Sequence, residues 1–406
     1  MRPVRELHAQ RLNNSDLRGG TAKHMDSRPN QHKRIVFFLD FADSLENADR
    51  VGSIARIIRY FNALSDSSLE VRVVSPDIKN YSSLFTQGGK HHPLPPFARI
   101  NRHLAFLIFS PFIFGGILRE SNLYWAKFSS SVPAILAKKL FKRPLVNYFD
   151  YNWVELSGAS KESKFEFYIK SVIERLMIKN SDYFITTTET LKLDLIAKGF
   201  KYPDKIFVIP NYVDTDIFFP ETGTKDQISL RILGVGRLNE QKNFPLLIDG
   251  VARLQSLISR NVEVTIVGSG PLKDELLEQA KKVRINFEII ERISNNEMPS
   301  VYKKHHIFVM TSPREGHPRA LIEAMACGLP VVGTNVIGIR DVVSDGINGL
   351  LCSQTPEGVA DTLLRLTNDP SLAEKLGMHA REEVVNRYSF KVLVQKERKL
   401  YEGIIS

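Results

Sequence analysis

The stretch Glu315-Gly-His-Pro-Arg-Ala-Leu-Ile-Glu323-Ala-Met-Ala-Cys-Gly-Leu-Pro-Val-Val332 decides the fold of this chain. Its helix can be read locally. Pro318 suits the first helical position, Arg319 and Glu323 are spaced as an i,i+4 pair, Gly328 supplies a left-handed cap, and Pro330 forbids continuation. The apolar run Phe308-Val309-Met310 upstream reads as a strand. A strand–loop–helix unit of this kind aims backbone N–H groups at the crevice beyond the strand end, where a phosphate is favoured. Glu323 then lies ~7–8 Å along the helix from its start. A ligand with phosphates at the helix tip would lay one hydroxyl against Glu323 and another against Glu315. Ordinary amphipathic helices with a surface ion pair share this spacing, so the surrounding residues must decide.

Outward from this unit, short apolar runs alternate with helical stretches from Arg34 onward, the pattern of parallel sheets. In the first half the strands are expected at Arg34–Leu39, Glu70–Ser75, Asn122–Lys127, Pro144–Phe149, Asp182–Thr187 and Lys205–Ile209. Helical periodicity marks Gly52–Leu64, Ser131–Leu140 and Phe165–Lys179. A break rich in Pro, Gly and charge runs from Phe219 to Gln227. A second series follows, with strands at Leu230–Val235, Val262–Val267, Asn286–Ile290, His306–Met310, Pro330–Gly333 and Gly349–Cys352, and helices at Asn243–Ser259, Pro271–Lys282, Pro318–Cys327 and Pro356–Asn368. The fold class is therefore α/β, with two Rossmann-like domains whose parallel sheets face an interdomain cleft. Ligands of such sheets bind beyond the carboxyl ends of the strands.

The second half carries four further constellations. Gly234-Val-Gly236-Arg237-Leu-Asn-Glu-Gln-Lys242 combines glycines that admit close backbone approach with a planar guanidinium and a mobile ammonium, a set suited to a diphosphate. Val264-Thr-Ile-Val-Gly268-Ser-Gly270-Pro is a strand ending in a glycine turn. Glu291-Arg-Ile293-Ser is a loop before another helix start, and Asp345-Gly-Ile-Asn-Gly349 closes the series.

In this order the motifs resemble glycosyltransferase family 4 (group 1), retaining nucleotide-sugar-dependent enzymes of the GT-B fold. The resemblance implies that Arg237 and Lys242 hold the pyrophosphate, with Gly236 and Gly268 lining the cradle. It implies that Glu315 sits by the transferred sugar, that Glu323 holds the ribose, and that Ile293 flanks the base. Gly316, His317 and Pro318 would supply helix-tip contacts, with the His317 side chain near the sugar. It further implies a donor domain at 216–388, an acceptor domain at 34–215, and a terminal helix at 389–406 that crosses back to the acceptor domain. Asp214-Thr-Asp216 has the look of a metal-binding DxD signature. Its context Ile209-Pro-Asn211-Tyr-Val-Asp214 matches the family's interdomain segment instead, so no metal and no other cofactor is expected beyond the nucleotide sugar.

The first half departs from the family in two places. In place of a double-glycine loop stands Asp43-Ser-Leu-Glu-Asn-Ala-Asp-Arg50-Val-Gly52-Ser53, where Gly52 either approaches the donor phosphate or serves a helix cap. In place of the usual His after the strand ending at Phe149 stands Asp150, the candidate to touch the sugar or the acceptor, or else a turn former.

The segment Leu104–Leu118 is strongly apolar but shorter than a bilayer span and interrupted by Pro111 and Gly115-Gly116. It is either a core helix or, with its basic flanks, a membrane-facing element that points to a lipid-linked acceptor.

Bulk properties agree with a globular enzyme handling anions. Among 406 residues, 55 Lys and Arg against 45 Asp and Glu give a formal charge of +10. Two cysteines, Cys327 and Cys352, are too few for a disulfide framework and favour a reducing compartment. Residues 1–33 are polar, without a signal-peptide core, and read as a disordered extension. The expectation is a cytoplasmic protein, peripheral at the inner face of the membrane if Leu104–Leu118 is exposed. It would move a hexosyl group from a UDP- or GDP-sugar to a hydroxyl of a glycan, polysaccharide precursor or lipid-linked acceptor, with no nucleic-acid partner. The rivals are a non-catalytic nucleotide-binding subunit and a non-hydrolysing nucleotide-sugar epimerase.

Overall fold

The computed structural model describes residues 33–98, 101–150, 163–221 and 228–406. Two parallel sheets organise them. The first holds β1 (Lys33–Phe38), β2 (Leu69–Val74), β3 (Lys90–His92), β4 (Leu123–Lys127), β5 (Leu145–Phe149), β6 (Tyr183–Thr186) and β7 (Ile206–Val208), in the order β3-β2-β1-β4-β5-β6-β7. The second holds β8 (Ser229–Val235), β9 (Asn261–Val267), β10 (Asn286–Ile290), β11 (Ile307–Met310), β12 (Val331–Thr334) and β13 (Leu350–Cys352), in the order β10-β9-β8-β11-β12-β13.

Both faces of each sheet are covered, which is why the central strands read as continuous apolar runs. In β1, Ile35 and Phe37 join one core cluster while Val36 and Phe38 join another, as the two-residue period of a strand requires. The first of these faces is covered by α2 (Ile54–Leu64), which follows the short α1 (Leu45–Arg50). The second packs against α3 (Ser131–Phe141). Next come α4 (Lys164–Asn180) and α5 (Glu189–Ala197). Around the second sheet lie α6 (Phe244–Leu257), α7 (Lys273–Lys282), α8 (Met298–Lys304), α9 (Arg319–Ala326), α10 (Pro356–Asn368) and α11 (Pro370–Arg387).

The final helix, α12 (Phe390–Ile405), buries Phe390, Leu393, Val394 and Tyr401 in the core of the first sheet. The chain thus passes twice between the sheets, and the two passes lie side by side. Val213 donates to Tyr388 O at 2.9 Å, and Phe390 donates to Val213 O at 2.9 Å. Asp214 and Asp216 belong to this junction. Arg59 of α2 pairs with Asp214, and Lys391 pairs with Asp216 at 3.0 Å.

Several expectations need adjustment. Lys33 opens β1, one residue before the expected boundary, and residues 1–32 lie outside the described ones. Edge strand β3 escapes a hydropathy reading because it is Lys-His-His. Leu104–Leu118 is neither one core helix nor one surface helix. It breaks into short helical segments over 102–119, with a π turn at Ala105–Phe109, and Pro111 and Gly115-Gly116 lie at or near the breaks. Phe106, Phe114 and Leu118 are buried, whereas Leu104, Ile108, Phe109 and Phe112 are exposed. Among the described residues no helix is long and apolar enough to cross a membrane.

Candidate functional site

At the carboxyl ends of β8 and β9 two loops are zipped together by backbone. Gly236 N donates to Val267 O at 3.0 Å, and Leu238 N donates to Ser269 O at 3.0 Å. A Cβ on Gly268 would stand 1.8 Å from Gly236 O, and one on Gly270 would stand 2.4 Å from Leu238 O. Only glycine permits that approach. The loop continues through Arg237, which is exposed at the mouth, to Lys242 and Asn243, which opens α6 in a left-handed conformation. Thr311 Oγ1, just past β11, fastens this turn by donating to Asn243 O at 2.9 Å.

The Lys242 ammonium reaches across to Glu315. Its Nζ lies 2.5 Å from Glu315 Oε1, which also accepts from Ser312 Oγ at 2.6 Å. With side chains only 19% and 7% exposed, the pair forms a nearly enclosed charged floor. The Glu315 backbone rests on Gly338, which has φ +85° and where a Cβ would lie 2.2 Å from Glu315 O. Two residues expected to serve different parts of the donor therefore touch each other.

Helix α9 begins at Arg319. Pro318 is its cap residue, not its first helical residue, and no side chain caps the helix. The N–H groups of Arg319, Ala320 and Leu321 therefore lack intrahelical partners, whereas Pro318 has no N–H to offer. The helix-tip amides stand at 319–321, three residues beyond the expected 316–318. The expected Arg319–Glu323 pair is also replaced. Glu323 Oε2 accepts from Tyr302 Oη at 2.9 Å, and Arg319 makes a long 3.5 Å contact to Asn211 Oδ1. Burial holds the Glu323 carboxyl above its ordinary pKa, against the Tyr302 bond and the charges of Arg56 and Arg319.

His317 departs from expectation more sharply. Its ring is buried edge-on against Tyr388, with centroids 4.9 Å apart, and neither ring nitrogen has a hydrogen-bond partner. Burial pushes its pKa down to about 3, helped by Arg319 and Arg387. The ring is part of the core, and it is the backbone carbonyl that bonds, accepting from Asn211 Nδ2 at 2.6 Å. Ile293 is half-buried in the loop after β10, packed on the second sheet's core. Gly316 follows Glu315 in the same loop as the ion pair.

The opposite wall is made by the first sheet's strand ends. Asp150, which follows β5, pairs through Oδ2 with Lys127 Nζ at 2.9 Å, and its Oδ1 is buried without a partner. Lys127 ends β4 and also faces Asp43 at 3.5 Å. Although burial opposes its charge, the two carboxylates win and raise its pKa. Burial lowers the pKa of Arg56, in the first turn of α2, and the charge of Arg319 lowers it further, against Tyr212 and Glu323. Lys127 and Arg56 escape a motif-based reading. A charged residue ending a buried parallel strand was the available signal for Lys127. Arg56 gives none beyond its i,i+4 relation to Tyr60.

Gly52 closes α1. It has φ +76° and open space around it. Ser53 N donates to Ala48 O at 2.8 Å and Gly52 N to Asp49 O at 3.1 Å, the Schellman closure of α1. Its left-handed conformation is thus required by the helix cap. Among the described residues no group of three or more His, Cys, Asp or Glu side chains is placed to hold a metal ion.

Two parallel sheets, a glycine-zipped cationic loop, and carboxylates from the strand ends of both sheets make up the candidate site of this α/β protein. Residues 217–383 match the family described as "Glycosyl transferases group 1". A probable sucrose-phosphate synthase of Thermosipho melanesiensis is 29% identical over 295 residues, 66% of this chain and 67% of that protein. An Escherichia coli protein named UDP-Gal:alpha-D-GlcNAc-diphosphoundecaprenol alpha-1,3-galactosyltransferase is 29% identical over 63% of this chain and 64% of its own length. The chain therefore aligns with about two thirds of the length of these relatives. Among solved structures, sucrose-phosphate synthase from Thermosynechococcus elongatus superposes with a TM-score of 0.71 at 18% identity, covering 92% of this chain and 99% of that one. Anabaena HepE, solved with UDP and glucose, superposes with a TM-score of 0.70 at 16% identity over 92% of this chain and all of its own. By its match at 217–383 the chain carries a group 1 glycosyltransferase domain, and it has the GT-B fold.

Proposed function

We propose that this protein transfers a hexosyl group, with retention of anomeric configuration, from a UDP- or GDP-sugar to a hydroxyl of a lipid-linked acceptor. The observation that carries the donor half is the Lys242–Glu315 ion pair set under the Gly236–Gly268 backbone zip. It places a cation, a carboxylate and closely approachable backbone within one ligand's reach. Arg237 and Lys242 would take the diphosphate, drawing Lys242 from Glu315 and freeing that carboxylate for a sugar hydroxyl. The 319–321 amides would add partial positive charge to the leaving phosphate. Glu323, steadied by Tyr302, would accept from the ribose. Asp150, held by Lys127, would face the sugar or the incoming hydroxyl from the other wall. Catalysis would then rest on positioning and on stabilising the leaving diphosphate.

Two of the similar proteins support a nucleotide-sugar donor. HepE binds UDP and glucose in its crystal, and the Escherichia coli relative is named for transfer of galactose from UDP-Gal. The acceptor half is supported by the exposed apolar face formed by Phe97, Leu104, Ile108, Phe109 and Phe112, where Phe97 and Phe112 are 75% and 70% exposed.

Thermal-shift titration with UDP, GDP and ADP, beside Glu323→Ala, tests the donor reading. One nucleotide should raise the melting temperature of the wild type and not of the variant. No shift with any nucleotide would favour a non-catalytic partner subunit. Incubation with the nucleotide sugar so identified and NMR of the product anomer then tests retention, and an inverted product would overturn it.

A further inference from the structure

Three residues on one face of α2, at i, i+3 and i+4, face the chain's passage between the sheets. Tyr60 stacks on Tyr212 with ring centroids 6.1 Å apart, and Arg59 pairs with Asp214 while lying over Phe390 at 5.1 Å. These contacts fix the helix against residues 211–216. Asn211, in the same passage, bonds the His317 carbonyl and the Arg319 guanidinium, which fixes the start of α9. Arg56 stands one turn before Tyr60, on the same face.

Both guanidinium groups are thereby tied to the 211–212 passage, Arg56 one turn before Tyr60 and Arg319 at Asn211, and the charge of Arg319 is felt at Arg56. Arg59 is neutralised by the Asp214 carboxylate, but Arg56 has no ion pair among the described residues, and Arg319 has only its long contact to Asn211. Glu323 lies close enough to feel both charges, yet its bond goes to Tyr302. Lys127, the next cation on that wall, is already matched by Asp150 and Asp43. Arg56 is half-buried and Arg319 is exposed, so both guanidinium groups remain reachable by a ligand from solvent. Such an arrangement is complementary to a ligand group with two or more anionic oxygens, which guanidinium forks bind in planar pairs.

We propose that Arg56 and Arg319 form a cross-cleft clamp for a phosphate group carried by the acceptor, separate from the Arg237–Lys242 cradle for the donor. The proposal rests on the donor reading above, because that reading assigns the donor diphosphate to the other cations. It deepens that reading by requiring an acceptor whose phosphate lies within a few bonds of the accepting hydroxyl.

Isothermal titration of inorganic pyrophosphate into the UDP-saturated full chain reads the clamp with the donor cradle filled. The wild type should show one binding event. Arg56→Gln and Arg319→Gln should each weaken it by about tenfold or more, and Arg56→Lys should restore much of it. UDP affinity should fall by less than pyrophosphate affinity in both Gln variants, because the Arg319 backbone amide is retained and Glu323 feels these charges without bonding to them. Circular dichroism confirms that each variant is folded. Absence of the event in the wild type, or its survival in both Gln variants, would overturn the clamp. Equal weakening of UDP itself would show that these cations serve the donor diphosphate and would overturn the acceptor assignment. If UDP does not bind the wild type, the donor reading fails by itself. The same pyrophosphate comparison, run in an Arg237→Gln background, then still reads Arg56 and Arg319.

Discussion

His317 shows how burial sets a residue's part in this site. Its ordinary pKa of 6.5 is pushed down to about 3, so in the folded protein the ring stays neutral through the acid range where an unfolded histidine gains a proton. Below pH 6.5 the unfolded chain binds the extra proton, and stability falls as pH drops towards 3. Between pH 7 and 5 the loss amounts to about 2 kcal/mol. His317→Phe keeps an aromatic edge against Tyr388 and removes the titration. Denaturant unfolding should therefore show the variant losing about 2 kcal/mol less than the wild type over that interval. An equal loss in both would mean that the ring reaches a proton in the folded state. The sequence placed His317 correctly in the motif loop but could not show which way its ring turned. The direction is decided by Tyr388, 71 residues later in the chain. Glu315 and Lys242 were legible for the opposite reason, because each sits at a strand-end loop whose glycines are fixed by backbone approach.

Helices α12 and α1 each hold a group whose environment makes a measurable demand. On α12, Glu397 is buried and accepts from Tyr401 Oη at 2.6 Å, and burial raises its pKa from 4.5 to about 7. The folded chain holds this proton after the unfolded chain has released it. Stability from this group is therefore full below pH 4.5, declines as pH rises, and levels off above 7 after a loss of about 3 kcal/mol. Glu397→Gln retains an acceptor for Tyr401 and lacks the decline. Its advantage over wild type should appear at about pH 8 and vanish at about pH 4, the reverse of the trend at His317. A constant difference at both pH values would mean that Glu397 does not titrate in this range. For α1, the Schellman closure predicts that Gly52→Ala costs about 1 kcal/mol, since φ is positive but space is open. The donor KM should be unchanged, whereas a raised KM with unchanged stability would return Gly52 to the donor site. Element positions were legible wherever hydrophobic period and punctuation agreed, as at Asn286–Ile290 and Pro356–Asn368. They were not legible where polar residues formed an edge strand, as in β3, or where an apolar run was divided between core and surface.

On the scale of the molecule, the divided segment at 102–119 bears on where the enzyme works. Phe97, Leu104, Phe109 and Phe112 line an open apolar groove of about 500 Å³. The adjoining α3, which packs against this segment, adds exposed Leu140 and the cations Lys139 and Lys142 near its end. Arg102 and His103 carry the same surface towards the cleft, where Arg102 pairs with Glu46 and His103 stacks on Phe41 beyond β1. A net charge of +10 adds a long-range attraction to anionic headgroups, which salt weakens within about a Debye length of 10 Å. Aromatic insertion and charge attraction are separable. Vesicles containing phosphatidylglycerol should sediment the protein at low salt, and pure phosphatidylcholine vesicles should do so weakly. Burying a Phe is worth about 1.5–3 kcal/mol, so Phe109→Ser with Phe112→Ser should cut partitioning by about two to four orders of magnitude at any salt concentration. If the double variant binds like the wild type and only salt releases it, charge alone accounts for the association. If neither vesicle binds the wild type, the apolar face serves something other than a membrane, and the proposed lipid-linked acceptor loses its structural support.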